Sequence, residues 1–164
     1  MHIRSAELAD IPDMTQLNLE AQALHVRLEP TRYRPVTDPS QVAALLREKL
    51  QQPCCGALVA LDGEALVGLA VWEERRREAT ALTTATHTLH VDQLAVASTH
   101  RGRGVGRALM RACEAHARRL GCTQVNLLCR WSNDDARAFY DAIGYQPSQV
   151  VLARSLPETP DSAT

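Results

Sequence analysis

The stretch HRGRGVGR at residues 100–107 constrains the possible fold of this chain most, because its three glycines occupy every second position. The whole chain of 164 residues has only eight glycines. Glycine weakens helices and strands, so such a cluster needs a compensating reason. An alternating apolar segment precedes the glycines and an amphipathic helical pattern follows them. This order predicts a strand, a tight turn and a helix whose first main-chain amides face an anion.

Two familiar phosphate-binding loops do not fit this stretch. A P-loop needs Gly-Lys-Ser/Thr after its glycines, and no lysine occurs here. The dinucleotide fingerprint G-x-G-x-x-G would need a glycine where Arg107 or Leu109 stands. The net charge of −1 disfavours nucleic acid as the partner, because such binders neutralise many phosphates. The glycines therefore need another explanation.

Length and composition favour one globular domain, which we place at residues 1–156, followed by a disordered tail at 157–164. No apolar run approaches the roughly 20 residues that span a bilayer, and no signal-peptide pattern opens the chain. The five cysteines are an odd number without a C-x-x-C pair, so neither disulfides nor a metal site is indicated. We expect a cytoplasmic protein without a membrane partner.

The hydrophobic periodicity predicts a mixed α/β domain. Its predicted elements, in chain order, are a strand at 2–7, a helix after Asp10, a helix at 39–51, a hairpin around Asp62 and Gly63, a loop within 75–86, a strand at 86–98, a helix at 105–120, a strand at 122–129, a helix opened by Ser132, and one or two strands within 145–156.

The pattern Arg101-x-x-Gly104-x-Gly106 resembles the Q/R-x-x-G-x-G/A signature of the GCN5-related N-acetyltransferase (GNAT) superfamily. The preceding LAV and the later run NDDARAFYDAIGYQP are also similar to that family, the latter to N-x-x-A-x-x-x-Y-x-x-x-G-[FY]. The resemblance implies a mostly antiparallel sheet of six to seven strands flanked by about four helices. It also implies that the fourth and fifth strands are parallel and part from each other.

The resemblance further implies acetyl-coenzyme A as co-substrate, with direct acetyl transfer to a primary amine in a ternary complex and no metal. The cofactor would pair with the strand at Leu94, Ala95 and Val96 and with the helix start at Asn133 and Ala136, although Asn133 is equally explained as a helix start. Main-chain amides of the glycine loop would hold its pyrophosphate, at Arg101, Gly102, Arg103, Gly104, Val105, Gly106 and Arg107.

Three side chains are candidates for catalysis. The phenol of Tyr140 can stabilise or protonate a leaving thiolate, although an ordinary packed tyrosine is the alternative. His90 and Asp92 are two residues apart on one strand, so we expect both to face the same side as Leu94 and Val96. Either can take the proton that the acceptor amine must lose, and ordered water is an equal alternative.

The acceptor side is expected in the part of the chain that matches the family least. His25, Glu29 and Tyr33 are candidate contacts there. Because both acidic and basic residues occur in this stretch, its charges do not identify one amine. The partner is therefore a small-molecule, peptide or protein amine, and a homodimer is possible. A non-catalytic sensor of acyl-coenzyme A with the same fold is the alternative function.

Overall fold

A five-stranded sheet forms the centre of the structure, a computed structural model that describes residues 1–154. The strands lie side by side in chain order. They pair antiparallel except for the last two, which are parallel as expected. Their bounds are β1 (His2–Ser5), β2 (Cys55–Asp62), β3 (Ala65–Arg77), β4 (Thr86–Val96) and β5 (Gln124–Leu127).

Four helices cover the two faces of the sheet. The helices α1 (Ile11–Leu28) and α2 (Pro39–Gln51) pack on one face, and α3 (Val105–Leu120) and α4 (Asp134–Ala142) pack on the other. Short 3₁₀ turns precede α1 and follow β4. Within residues 1–154, no helix combines the length and the apolar character that a membrane crossing requires.

The predicted apolar stripe of α3 becomes the core of the second face. Val105, Leu109, Cys113 and Ala117 are buried, as the helical spacing predicts. The helix approaches β3 so closely that a Cβ on Gly68 would lie 2.8 Å from a methyl of Val105. A small residue in the middle of β3 therefore sets the depth at which the start of α3 sits.

The expected count of six to seven strands is wrong for the described residues. Residues 145–154 form no strand, although their apolar residues suggested one or two. This segment pairs with no strand of the sheet. Its apolar residues Val150, Val151 and Leu152 are exposed. Alternation alone does not make a strand when a hydrogen-bonded neighbour is missing. Residues 155–156 and the predicted tail at 157–164 lie outside the described residues.

Two further differences concern polar residues. Residues 75–77 were expected in the loop within 75–86, but β3 continues to Arg77 and pairs with β4 along its whole polar end. Asp10 does precede α1, yet its carboxylate does not cap that helix. Instead it accepts hydrogen bonds from both Nη atoms of Arg4, at 2.7 and 2.8 Å, and from the amide of Glu7. The acid therefore ties β1 to the start of α1.

Candidate active site

The glycine loop between β4 and α3 presents unpaired main-chain amides. Gly102 and Gly104 have φ angles of +73° and +83°, which glycine adopts at little cost. Gly104 precedes the first residue of α3 without any side-chain cap. No hydrogen bond within residues 1–154 uses an amide of residues 101–107 as donor, and the first to find an acceptor is that of Ala108, 3.0 Å from the oxygen of Gly104. These donors remain available to an anion.

The space above this loop is open. A Cβ built on Gly102 or Gly104 would meet no atom within 4 Å. The three arginines of the loop are exposed, and Arg101 donates a hydrogen bond from Nε to the carbonyl of Val96 at 3.3 Å. A bulky anion can therefore reach the amides with positive charge around it.

The strand β4 has an open edge next to the loop. Its last pair with β5 joins Val91 and Leu127, where β5 ends. Residues 93–96 continue β4 and pair only with β3. The main-chain groups of this half of β4 therefore face a gap on the β5 side, which is the expected parting of the two parallel strands.

A β-bulge at Asp92 changes which way the side chains of β4 point. Trp72 pairs with Val91 and its neighbour Val71 pairs with Gln93, so Asp92 is an extra residue. As a result Leu89, Val91, Leu94 and Val96 all pack towards α3. His90 and Asp92 lie on the opposite face, towards α1 and α2. The expectation that they share a face with Leu94 and Val96 is wrong, because the bulge shifts the alternation by one residue.

A polar cluster surrounds His90 on that face. The His90 ring is 7 % exposed, and its Nδ1 lies 2.6 Å from Oδ1 of Asn126. Its Nε2 lies 3.5 Å from Oδ1 of Asp92. Lys49, the only lysine of the chain, reaches Oδ2 of Asp92 at 2.5 Å from α2. Arg75 lies 3.5 Å from the same carboxylate.

These contacts constrain the protonation of the cluster. Burial alone lowers the pKa of Lys49, but its hydrogen bond to Asp92 and that residue's charge outweigh burial, so the net direction is upward. Lys49 is therefore a firm cation, and Asp92 is held as its counter-ion. Asp92 was predicted from the sequence, whereas Lys49 and Asn126 were not. Only the polar position of Asn126 between two apolar residues of β5 hinted at it.

Helix α4 brings Tyr140 to the α3 side of the sheet. The ring packs 5.1 Å from Phe139 and 6.0 Å from Tyr145, measured between centroids. Burial raises the pKa of the Tyr140 phenol, and the neighbouring Cys129 and Cys113 add to the effect. Phe139 packs directly on the start of α3, since a Cβ built on Gly106 would lie 3.2 Å from its ring. The phenol is thus neutral and can only donate or accept a hydrogen bond.

The start of α4 differs from the prediction. Ser132 was expected to cap the helix, but Asn133 does so: its Oδ1 accepts the amide of Ala136 at 3.1 Å. This accounts for the oxygen of Asn133, whereas its amide nitrogen has no hydrogen-bond partner among residues 1–154. Ser132 instead donates a 2.6 Å hydrogen bond to Glu29.

The candidate acceptor residues connect two loops. The loop after α1 contacts the loop after β5 through Glu29 with Ser132 and through Tyr33, whose hydroxyl accepts from Nε of Arg130 at 3.0 Å. We call these four residues the loop clasp. His25 stacks on the ring of Tyr33 at 5.0 Å, and burial together with Arg130 lowers the His25 pKa. The sequence could not reveal Arg130, because its contact spans 97 residues.

No group of three or more His, Cys, Asp and Glu side chains within residues 1–154 is arranged to hold a metal ion.

A family model and several solved structures resemble this chain. Residues 19–145 match the model of the acetyltransferase (GNAT) family. No curated protein matches the sequence significantly. A Bacillus halodurans protein, solved as a tetramutant, is similar in structure with a TM-score of 0.87 at 22 % identity, over 95 % of this chain and 100 % of that one.

Two similar structures are described as enzymes. An aminoglycoside N-acetyltransferase in complex with CoA has a TM-score of 0.73 at 17 % identity, over 94 % of this chain and 93 % of that one. A ribosomal-protein-alanine N-acetyltransferase from Brucella melitensis biovar Abortus 2308 has a TM-score of 0.73 at 23 % identity, over 94 % and 99 %. These likenesses concern the fold. Because the family model covers more than half of the sequence, the chain belongs to the acetyltransferase (GNAT) family.

Proposed function

We propose that the protein is an N-acetyltransferase that moves an acetyl group from acetyl-coenzyme A to a primary amine by direct attack. The observation that carries the proposal is the row of unpaired amides at residues 101–107, placed directly beside the open edge of β4. A helix start of this kind suits a diphosphate, and an unpaired strand edge suits an extended chain that carries amides.

The residues present fit coenzyme A. The amides of Arg101 to Arg107 would bind the pyrophosphate, and the positive φ at Gly102 and Gly104 keeps side chains out of the way. The main chain of Leu94, Ala95 and Val96 would pair with the pantetheine arm. The amide nitrogen of Asn133, whose oxygen caps the helix at Ala136, would donate to the same arm.

Acetyl-coenzyme A would supply an activated thioester, from which a thiolate leaves when the amine attacks. Tyr140 is the proposed donor to that thiolate. Because burial raises its pKa, the phenol keeps its proton and stabilises the thiolate mainly by donating a hydrogen bond. The packing of Tyr140 against Phe139 and Tyr145 orients the ring for this purpose.

His90 is the proposed base for the acceptor amine, with Asp92 as its charged neighbour. The carboxylate of Asp92 is engaged by Lys49 and Arg75, which leaves it as a stabiliser of charge rather than the proton acceptor. His90 has a small exposed fraction, so the proton would reach it over a short path that includes water.

The acceptor is an amine whose identity the loop clasp would help to decide. Glu29 lies 4.0 Å from Nε of Arg130, so part of its negative charge is already compensated. His25 and Tyr33 offer a stacked aromatic surface beside it. Aminoglycosides and alanine peptides are the first acceptors to test, because two similar structures are described as an aminoglycoside N-acetyltransferase and a ribosomal-protein-alanine N-acetyltransferase.

A thiol-release assay tests the proposal. Acetyl-coenzyme A is incubated with the protein and a panel of aminoglycosides, polyamines, amino acids and alanine peptides, and free thiol is measured. We expect release that depends on one class of amine. Coenzyme A binding without release by any amine would instead favour a non-catalytic sensor. Absence of binding would contradict both functions.

A further inference from the structure

The hydrogen bond between His90 and Asn126 determines where the proton of the imidazole resides. The register of the parallel strands places the two residues directly opposite each other. Nδ1 of His90 lies 2.6 Å from Oδ1 of Asn126, and an amide oxygen can only accept. With the amide oxygen on the side that faces the ring, as the structure has it, Nδ1 carries a hydrogen. In the neutral ring the other nitrogen, Nε2, then has a lone pair.

Nε2 is the ring atom of His90 that faces Asp92. Asp92, the extra residue of the bulge, lies 3.5 Å from Nε2 and stands where β4 and β5 part. At this distance the carboxylate makes no strong hydrogen bond with the ring. Nε2 therefore has no strong hydrogen-bond partner on this side and can accept a proton that arrives from the gap.

Besides Asp92, the charged groups around the ring come from two elements, β3 and α2. Glu73 of β3 is the cross-strand partner of His90, and Arg75 follows it two residues later. Lys49 of α2 bridges Asp92 and Glu73, at 2.5 and 3.7 Å. The two acids and two bases balance in formal charge. Asn126 of β5 is thus the neutral contact of the ring on the side away from them.

We propose that Asn126 is a positioning residue that holds His90 in the Nδ1-protonated form, with the lone pair of Nε2 facing Asp92 and the gap between β4 and β5. The proposal rests on the proposed function for its catalytic meaning. In the transfer, an N–H bond of the acceptor ammonium breaks, the proton binds Nε2, and the imidazolium later returns it to water.

Without the Asn126 oxygen, no acceptor holds the hydrogen of the His90 ring on Nδ1. A neutral imidazole without the partner populates both tautomers, and the one with hydrogen on Nε2 has no lone pair towards the gap. Asn126→Leu keeps the approximate size of the side chain and deletes the acceptor. Asn126→Asp keeps an acceptor at the same place. Gln124→Met is the matched control, because Gln124 lies two residues earlier on the same face of β5.

Nitrogen NMR of ¹⁵N-histidine-labelled protein tests the assignment without any substrate. The His90 resonances are identified from their loss in His90→Gln. We expect Nε2 to be unprotonated in the wild type, in Gln124→Met and in Asn126→Asp, and the protonated Nε2 form to become populated in Asn126→Leu. A wild-type ring protonated at Nε2, or a tautomer ratio that Asn126→Leu does not change, would overturn the proposal.

Kinetics with the amine found by thiol release then test the role in transfer. We expect Asn126→Leu to lower kcat by about tenfold, a fraction of what a general base contributes, and to leave the KM for acetyl-coenzyme A within about twofold. Asn126→Asp should recover most of kcat. An unchanged kcat in Asn126→Leu with a changed tautomer ratio would overturn the catalytic role of Asn126. If no amine releases thiol in the wild type, the proposed function fails, while the NMR result still decides the tautomer.

Discussion

At the scale of single residues, burial sets the chemistry available at the site. Tyr140 is enclosed between α3 and the loop after β5, and its raised pKa makes it a firmly protonated phenol. Cys113 behaves in the same way, since burial raises the pKa of its thiol to about 12. Neither group ionises near neutral pH. Tyr140 can therefore contribute through a hydrogen bond, and Cys113 contributes only packing.

Tyr140→Phe should lower kcat by about 10²-fold, because it removes the donor to the leaving thiolate and keeps the ring. Affinity for coenzyme A should change little, since the substitution keeps the ring and its packing against Phe139 and Tyr145. Steady-state kinetics and calorimetric titration with coenzyme A measure the two effects.

Tyr145→Phe is the control for this substitution. Tyr145 packs against Tyr140 and donates to Glu114 at 3.2 Å, so its hydroxyl serves the fold rather than the gap. We expect kcat to remain near the wild-type value. Equal losses of kcat in the two variants would count against Tyr140 as the donor.

Sequence spacing identified some site residues and not others. The glycines and Tyr140 carry a local pattern, so the sequence alone predicts where they lie on their elements. Asn126 was missed because its partner is fixed by strand register rather than by spacing. Ser132 and Asn133 are both good helix caps, and adjacent residues of equal propensity do not reveal which one the chain uses.

At the scale of elements, the junction of β4 and α3 is the feature on which cofactor binding depends. Gly104→Ala should destabilise the fold by about 1 kcal/mol, because alanine is strained at a φ of +83°. It should also weaken coenzyme A binding by about tenfold, since the new methyl occupies the space in front of the amides. Thermal unfolding and calorimetric titration measure the two effects.

Gly63→Ala provides a control with the same backbone strain. Gly63 has a φ of +62° in the hairpin between β2 and β3, and a Cβ there also meets no atom within 4 Å. We expect a similar loss of stability and unchanged coenzyme A binding. If Gly104→Ala bound coenzyme A as well as Gly63→Ala, the amides of the loop would not be the phosphate site.

The ion pair that joins β1 to α1 should make stability depend on pH. The hydrogen bond from Arg4 lowers the pKa of Asp10. A lowered folded pKa contributes stability above the ordinary value of about 3.9, and this contribution is lost as pH falls through the lowered value. Asp10→Asn should reduce the free energy of unfolding by about 2 kcal/mol near neutral pH. Its difference from wild type should shrink below about pH 4.

Urea unfolding at a series of pH values measures this difference. Asp13→Asn is the control, because Asp13 is an exposed acid in the first turn of α1. We expect little effect of that change at any pH. A difference between Asp10→Asn and wild type that stayed constant into strong acid would show that Arg4 and Asp10 are not coupled in the folded state.

Element boundaries followed from periodicity only where tertiary contacts agreed with it. The helices α2 and α3 have the predicted bounds. The predicted strand at 122–129 shortens to four residues, because β5 loses its partner where the sheet parts. Likewise, the bulge at Asp92 leaves no mark in the hydrophobic pattern. Parting and bulge are decided by neighbouring strands, which a single sequence does not display.

At the scale of the whole molecule, ligand binding and stability are linked. Coenzyme A at about 100 times its dissociation constant should add about 2.7 kcal/mol to the free energy of unfolding. For a chain of this length that corresponds to a rise in Tm of about 5–10 °C. Differential scanning fluorimetry measures the shift. No shift at saturating coenzyme A would contradict binding at the glycine loop, whichever function the protein has.

The overall architecture could be predicted because several independent signals agreed. The order of strands and helices, the glycine loop and the parallel pair of strands all pointed to one fold, which the family match confirms. The strands expected at 145–156 depended on resemblance and local alternation alone. Only contacts made by the folded molecule decide such a segment.

The extra residue at Asp92 separates the two halves of β4 into independently variable parts. Before Asp92, an even-numbered residue such as His90 faces α1 and α2. After it, the even-numbered residues Leu94 and Val96 face α3, because the bulge shifts the alternation by one. A transplant of acceptor-side residues from a relative must therefore be aligned outward from Asp92 in both directions. An alignment shifted by one residue would place a histidine in the apolar core and a leucine in the charged cluster. The chimera would then misfold before its selectivity could be measured.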